Sequence, residues 1–232
     1  MRYTALIETT RGDTPECLHL GSIAVVNTQG QLIAQAGDGH MQTFTRSTLK
    51  ALQALPLMTS GAADAFGFDS RDLAMTCASH NGEDMHVQQV QSMLDKVGVN
   101  YKRLACGCHL PLRFVYTDAR APADLVYDER HNNCSGKHAG FLAACAHQGL
   151  SLDDYVEPHH PLQGQIRTAV AKVCRIDEEA MPMGLDGCSA PNYAMPLSRL
   201  ALGYARLASG ANDPEFGQFL HFLGREVLEH LG

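Results

Sequence analysis

The sequence lacks the concentrated positive charge that nucleic-acid-binding proteins use. Its 232 residues include 18 lysines and arginines against 25 aspartates and glutamates, which gives a formal net charge of -7. The basic residues are scattered along the chain and form no cluster, so they provide no electrostatic footprint for a phosphate backbone. We therefore expect no DNA or RNA partner.

Long apolar runs are also missing. No segment approaches the roughly 18 consecutive apolar residues that suggest a membrane-spanning helix. The opening residues, MRYTALIETTRG, include Glu8 and Arg11 and contain no continuous apolar stretch of the kind found in a secretory signal. These absences predict a chain without a membrane partner and a cytoplasmic location.

The cysteines lack the regular spacing of a disulfide framework. They lie at positions 17, 77, 106, 108, 134, 145, 174 and 188. In a chain without an export signal, such cysteines are expected to be reduced thiols. Most should be small buried apolar residues, and Cys145 and Cys174, which lie in apolar runs, fit this description. Cys106 and Cys108 are too close together for the usual zinc-ligand spacing.

The first forty residues are rich in β-forming residues. The run YTALIET, residues 3–9, predicts one strand, and GSIAVVNTQGQLIAQAG, residues 21–37, predicts two more around a Thr-Gln-Gly turn. Two β-rich runs that flank a short polar turn are typical of a hairpin. We expect antiparallel strands at the start of the fold.

After Ser47 the apolar spacing becomes that of helices. Pro56 should limit the first helical segment to one or two turns. Further amphipathic helices are predicted over residues 84–97, 137–147, 161–174, 198–208 and 214–231. No repeat, low-complexity tract or linker divides the chain, so residues 1–232 are expected to form a single α+β domain.

An S-x-x-K motif links Ser47 to Lys50 at the start of the first helical segment. Residues three apart on a helix lie on one face, so the lysine amine can reach the serine hydroxyl. A desolvated, neutral lysine can take the serine proton and make the hydroxyl a nucleophile. The alternative is a helix-capping serine followed by a solvated lysine.

The segment CASHNGE, residues 77–83, concentrates polar side chains before the helix predicted from residue 84. Ser79, His80 and Asn81 supply a hydroxyl, an imidazole and an amide that can bind a polar substrate. The alternative is capping, because Ser79 or Asn81 can cap the helix and Glu83 is favoured at its positive end.

Two further loops carry cysteines beside other potential ligands. HNNCSGKHAG, residues 131–140, contains Cys134 and Lys137, and GLDGCSAP, residues 184–191, contains Cys188. Two thiolates and a nitrogen ligand suit a tetrahedral zinc ion. The residues alone leave two alternatives open, namely a Cys134 nucleophile with a histidine base, or loop packing without chemistry.

Together these segments resemble one family, the L-asparaginases of the Rhizobium etli type. The matching segments follow one order along nearly the whole chain: R11-x4-E16-x2-H19-x-G21, F44-x2-S47-x2-K50, C77-A-S-H-N-G-E83, CGCHLP at 106–111, HNNCSGKHAG and G184-x-D-G-C-S-A-P191. The resemblance implies hydrolysis of L-asparagine to L-aspartate and ammonia by a homodimer. It also implies a fold similar to serine β-lactamases and glutaminases, with N-terminal antiparallel strands and a large helical body.

The resemblance further assigns roles to individual positions. It implies catalytic Ser-Lys chemistry by Ser47, Lys50 and Ser79, without deciding which serine attacks. It implies a zinc ion held by Cys134, Lys137, Cys188 and water. Asp186 and His138 are expected to orient these ligands or the water. The residues expected to contact substrate are Arg46, His80, Asn81 and Glu83.

The sequence departs from this family at its C-terminal end. The family is longer there and carries the lysine of a second Ser-Lys pair in that part, whereas the last lysine here is Lys172. We therefore expect the C-terminal strands and the second lysine to be missing, which would leave the N-terminal hairpin with an exposed edge. Two other functions remain open: a related glutaminase or β-lactamase-like amidase, and an inactive zinc-binding remnant that acts as a binding or regulatory domain.

Overall fold

The computed structural model describes residues 3–210, 213 and 216–230. In this part of the chain the strands are β1 (Thr4–Arg11), β2 (Thr14–Gly21), β3 (Ile23–Val26), β4 (Leu32–Ala36), β5 (Gln42–Phe44), β6 (Met183–Leu185) and β7 (Pro191–Pro196). The helices are α1 (Lys50–Gln53), α2 (Leu55–Thr59), α3 (Ala62–Ala65), α4 (Ser70–Cys77), α5 (Asp84–Val97), α6 (Ser135–Gln148), α7 (Pro161–Cys174), α8 (Leu197–Ser209) and α9 (Gly217–His230). A mixed α+β architecture is thus confirmed.

The predicted N-terminal hairpin is formed by β3 and β4, which pair antiparallel. Its turn is closed by the Asn27 side chain, whose Oδ1 accepts hydrogen bonds from the backbone N–H groups of Gln29 and Gln31. Gly30 has a φ of +85°, a backbone conformation that glycine adopts without steric cost. The sequence pattern therefore located both the strands and the residues that reverse the chain.

A second hairpin, formed by β1 and β2, stands largely in solvent. Several of its apolar side chains are exposed, including Ile7 at 61%, Leu18 at 57% and Leu20 at 63%. The sequence predicted the strand over residues 3–9, but it did not predict β2, with which that strand pairs. Among the described helices, none has both the length and the apolarity required to cross a bilayer.

A three-stranded sheet of order β5-β7-β6 joins distant parts of the chain. It pairs Phe44 with Ala194 and Gly184 with Asn192, both in antiparallel register. The sequence did not predict it, because β5 and β6 have three residues each and show no usable alternation. This sheet brings the segment before Ser47 next to the loop that contains Cys188.

The predicted helices are found close to their expected bounds. The helices predicted over residues 84–97 and 161–174 coincide with α5 and α7, and those over 137–147 and 198–208 lie within α6 and α8. Pro56 lies in the first turn of α2 and separates it from α1, as proline requires. The predicted end points 214 and 231 of the last helix lie outside the described residues.

Helix α6 forms the centre of the helical body, and eleven of its residues are buried. Two glycines allow α4 to pack closely against it. A Cβ atom at Gly136 would lie 2.3 Å from the Met75 carbonyl oxygen, and one at Gly140 would lie 2.9 Å from the Thr76 side chain. This close approach brings the loop after α4, which contains Ser79, to the N-terminal end of α6, which contains Lys137.

Candidate active site

A buried lysine and an exposed serine form the centre of the site. Lys50, the first residue of α1, is 2% exposed, and its Nζ lies 2.6 Å from Ser79 Oγ. The same amine donates to the carbonyl oxygens of Ala78 at 2.7 Å and Asn133 at 3.0 Å. Carbonyls only accept hydrogen bonds, so the two N–H groups of a neutral amine can serve them while its lone pair faces the Ser79 hydroxyl.

The surroundings of Lys50 favour this neutral form. Burial lowers the pKa of Lys50 below that of an ordinary lysine, and the nearby Lys137 lowers it further, while Cys134 opposes the shift. Ser79 is exposed at the surface. The arrangement therefore combines a buried amine that can act as a base with a hydroxyl that a substrate can reach.

Ser47 is exposed and contacts Lys50 through the backbone, because the Lys50 N–H donates to the Ser47 carbonyl oxygen. The S-x-x-K spacing predicted that the amine would reach the Ser47 hydroxyl, whereas in the structure it contacts Ser79. The Lys50 side chain extends into the protein interior and does not run along the helix surface towards the Ser47 hydroxyl. Spacing along one helix could not reveal a partner that lies 29 residues away.

Arg46, which precedes Ser47, has a left-handed backbone with a φ of +49°. For a residue with a side chain this conformation costs roughly 1–2 kcal/mol, and neighbouring groups must maintain it. The buried Asn192 does so, since its Oδ1 accepts from the Arg46 N–H at 3.0 Å and its Nδ2 donates to the Arg46 carbonyl at 3.1 Å. Arg46 Nη2 also forms a 2.9 Å ion pair with Asp186 Oδ1.

His80 is buried, and both of its ring nitrogens have partners within the protein. Its Nδ1 accepts from the Gly82 N–H at 3.1 Å, and its Nε2 lies 2.8 Å from the Ser135 hydroxyl oxygen. Burial lowers the pKa of His80 to about 3, so the ring is neutral. The predicted substrate contact would therefore require one of these hydrogen bonds to break.

The other two polar residues of this loop differ in their surroundings. Asn81 is exposed, and its backbone carbonyl accepts from the Arg113 N–H at 3.0 Å. Glu83 occupies the N-cap of α5, and its N–H donates to His86 Nδ1 at 3.2 Å. A carboxylate at the positive end of a helix is stabilised there, so Glu83 has a structural role whether or not it also contacts substrate.

The three predicted metal ligands lie together at the first turn of α6. Lys137 Nζ lies 3.1 Å from Cys188 Sγ, and the Cys134 thiol forms a hydrogen bond with Cys188. Hydrogen bonds from Cys134 and His138, together with the neighbouring Lys137, lower the pKa of Cys188, whereas the bond to Cys188 and burial raise the pKa of Cys134. Cys188 is therefore the thiol of this pair that more readily becomes a thiolate, the form that binds metal ions.

His138 completes the surroundings of this cluster. Tyr155 accepts a hydrogen bond from the Ala105 N–H, and its own hydroxyl lies 2.8 Å from His138 Nδ1. Burial lowers the pKa of His138 to about 4. Its Nε2 is buried and faces Cys188, with which the ring forms a hydrogen bond.

The donor set fits a zinc ion, because two sulfurs and one nitrogen from separate loops can supply three of its four ligands. Lysine can serve as a ligand only when it is neutral. Among the described residues, no group of three or more His, Cys, Asp and Glu side chains is arranged as a metal site. The predicted set differs from such groups in having a lysine as its third member.

Sequence reasoning missed two residues that hold the site together. Asn192 fixes the backbone of Arg46, and His109 accepts the Asn133 N–H through its Nε2 at 3.2 Å. Both lie in or beside segments that carry the family resemblance, namely CGCHLP and GLDGCSAP. Both side chains form hydrogen bonds with the backbone of other loops. Their residue types alone do not indicate such a role.

The comparisons with known proteins give one family. The family model described as L-asparaginase II matches residues 7–230 of the chain. The search of individually curated proteins gives no match.

Proposed function

Since the chain belongs to the L-asparaginase II family, we propose that it hydrolyses the side-chain amide of L-asparagine to L-aspartate and ammonia. The family match covers nearly the whole sequence, and the substrate is accordingly a small molecule. The observation that carries the mechanism is the 2.6 Å contact between Lys50 Nζ and Ser79 Oγ.

In the proposed reaction Ser79 is the nucleophile and Lys50 is the general base. The neutral amine takes the proton of the Ser79 hydroxyl as Oγ forms a bond to the amide carbon. The resulting ammonium gives that proton to the departing nitrogen, which leaves as ammonia. A water molecule then loses a proton to Lys50 and attacks the carbonyl carbon of the Ser79 ester. Aspartate is released, and the Lys50 ammonium returns the proton to the departing Ser79 Oγ, which restores the hydroxyl.

Supporting roles are proposed for Ser47 and Arg46, which lie on the turn that precedes Lys50. Ser47 is exposed on the segment that leads into Lys50, and the Arg46 side chain is 69% exposed. A guanidinium pairs well with a carboxylate, so Arg46 is proposed to bind the substrate carboxylate while Asp186 holds its orientation. Asn81 and Glu83 are proposed to contact the substrate from the loop that carries Ser79.

We propose that zinc is bound by Cys134, Lys137 and Cys188, with Asp186 and His138 orienting the ligands. The support is the donor chemistry of two thiols and an amine that lie together. When bound, a zinc ion would supply a fixed positive charge beside the pocket. In the same proposal the fold is of the serine β-lactamase and glutaminase type, and the working form is a cytoplasmic homodimer, as the resemblance implies.

The direct test is ammonia release by the purified protein, with L-asparagine and L-glutamine compared at equal concentrations. Faster release from asparagine is the expected result. Release from glutamine alone would identify a related amidase instead. A folded, zinc-loaded protein that releases ammonia from neither substrate would contradict the proposed activity and favour a binding role.

A further inference from the structure

The loop that carries Ser79 is tied to α6 through the side chain of the next residue. His80 is 4% exposed and Ser135, the first residue of α6, is fully buried. Since the Gly82 N–H donates to His80 Nδ1, the neutral ring carries its proton on Nε2 and donates it to Ser135 Oγ. The Ser135 hydroxyl in turn donates to the Arg130 carbonyl at 2.8 Å.

Neighbouring groups pack closely around the His80 ring and its loop. The His86 ring stacks on it with centroids 5.2 Å apart. The loop is also closely packed at Gly82, where φ is +71° and a Cβ atom would lie 2.9 Å from the His131 carbonyl oxygen and from Pro111 Cβ. Both ring nitrogens of His80 therefore form hydrogen bonds that hold the loop in place.

The same two segments supply the partners of Lys50. One partner, Ser79 Oγ, lies in the loop that His80 fixes, and another, the Asn133 carbonyl, lies two residues before Ser135. The hydrogen bond from His80 to Ser135 therefore sets how far these two partners of Lys50 are from each other. Their separation in turn determines whether one amine can contact both.

We propose that His80 is a positioning residue, which holds the Ser79 hydroxyl against Lys50 by joining the loop between α4 and α5 to the first residue of α6. This role replaces the substrate contact expected from the sequence. It rests on the proposed function of Ser79 as the nucleophile. A shift of about 1 Å at a reacting group can reduce a rate by roughly 100-fold. Loss of the hydrogen bond from His80 to Ser135 is therefore expected to lower the reaction rate and to leave the binding of substrate largely unchanged.

Three variants separate positioning from substrate contact. His80→Asn removes the donor to Ser135, Ser135→Ala removes its acceptor, and His80→Gln can restore a donor near the position of Nε2. His147→Gln, a change of an exposed histidine on α6, is the matched control. We expect kcat to fall about 10- to 100-fold in His80→Asn and Ser135→Ala with KM changed less than about 2-fold, and His80→Gln to recover part of the loss.

A raised KM with unchanged kcat in His80→Asn would show that His80 contacts substrate. Ser135→Ala with the kinetics of the wild type would also overturn the proposal. If His80→Asn does not fold, Ser135→Ala and the ring of the wild-type protein provide the test. Nitrogen NMR of the wild type should find His80 as the neutral tautomer with its proton on Nε2, and a proton on Nδ1 would contradict the geometry.

The labelling rate of Ser79 by a fluorophosphonate gives a readout that does not depend on asparagine. It should be slower in Ser135→Ala than in His147→Gln. Slower labelling in a protein that releases no ammonia would support the role of His80 while contradicting the proposed substrate. Equal labelling rates in a protein that hydrolyses asparagine would contradict the role of His80 alone.

Discussion

Lys50 Nζ and Ser79 Oγ lie 2.6 Å apart although they are separated by 29 residues. Lys50 extends from the start of α1 into the interior, where it meets the loop that follows α4. Two further partners of Lys50 are backbone carbonyls, which cannot be removed by substitution. The contact thus combines a lysine in the S-x-x-K motif with a serine from CASHNGE, which the sequence pattern had not paired with it.

The two candidate nucleophiles should respond differently to removal of their hydroxyls. Ser79→Ala is expected to lower kcat by at least about 1,000-fold, because Ser79 supplies the one hydroxyl that contacts the Lys50 amine among the residues described by the structure. Ser47→Ala is expected to have a smaller effect, since Ser47 is exposed and meets Lys50 through the backbone. Single-turnover acylation measures the relevant step. Full activity in both variants would rule out a serine nucleophile.

The base function of Lys50 predicts the direction of the pH dependence. Burial lowers the pKa of Lys50 below the 10.5 of an ordinary lysine, and only the neutral amine can accept the Ser79 proton. Activity should therefore rise with pH as Lys50 loses its proton, and the midpoint should lie below pH 10.5. Measurement of kcat/KM across this range, on protein shown to remain folded, gives the midpoint.

Replacing the base should abolish this dependence. Lys50→Arg keeps the positive charge but cannot supply a neutral base, so we expect a loss of about 100- to 10,000-fold in kcat. Lys102→Arg, at an exposed position, is the matched control. A Lys50→Arg enzyme with the wild-type rate and pH profile would exclude Lys50 as the base.

The metal proposal predicts that Cys134→Ser abolishes stoichiometric zinc binding while leaving the Ser47 and Ser79 hydroxyls in place. A neutral hydroxyl is a much weaker zinc ligand than a thiolate. Cys17→Ser is the control, because this thiol is exposed on β2. Metal content can be measured by elemental analysis of the purified proteins. Unchanged zinc in Cys134→Ser would remove this residue from the ligand set.

Two helical glycines provide a test of the packing around the site. A Cβ atom at Gly136 would lie 2.3 Å from the Met75 carbonyl oxygen, whereas one at Gly164 has no neighbour within 4 Å. Gly136→Ala should therefore lower the free energy of unfolding by about 1–3 kcal/mol through overpacking. Gly164→Ala should raise it by about 0.5–1 kcal/mol, because alanine favours helices. Denaturant unfolding compares the two, and similar effects at both positions would contradict the close approach of α4 and α6.

Local patterns in the sequence determined much of the fold. Turn residues and β-rich runs located the hairpin of β3 and β4, and helical spacing located α5 and α7. Such features depend on neighbours within a few residues of each other, which is why a single sequence reveals them. The joint occurrence of several motifs likewise indicated an asparaginase, and the match to the L-asparaginase II family confirms this assignment. The Rhizobium etli type stays a prediction.

Only the tertiary structure decided which groups meet. The strands β5 and β6 exist as strands because β7 pairs with both, and β5 and β7 are more than 140 residues apart in the chain. The sequence predicted a substrate contact for His80, whereas its burial and the two partners of its ring became visible only in the structure. Lys50 likewise has its chemical partner in another loop. Contacts of this kind depend on how helices pack, and the close packing at Gly136 determines where Ser79 lies relative to Lys50.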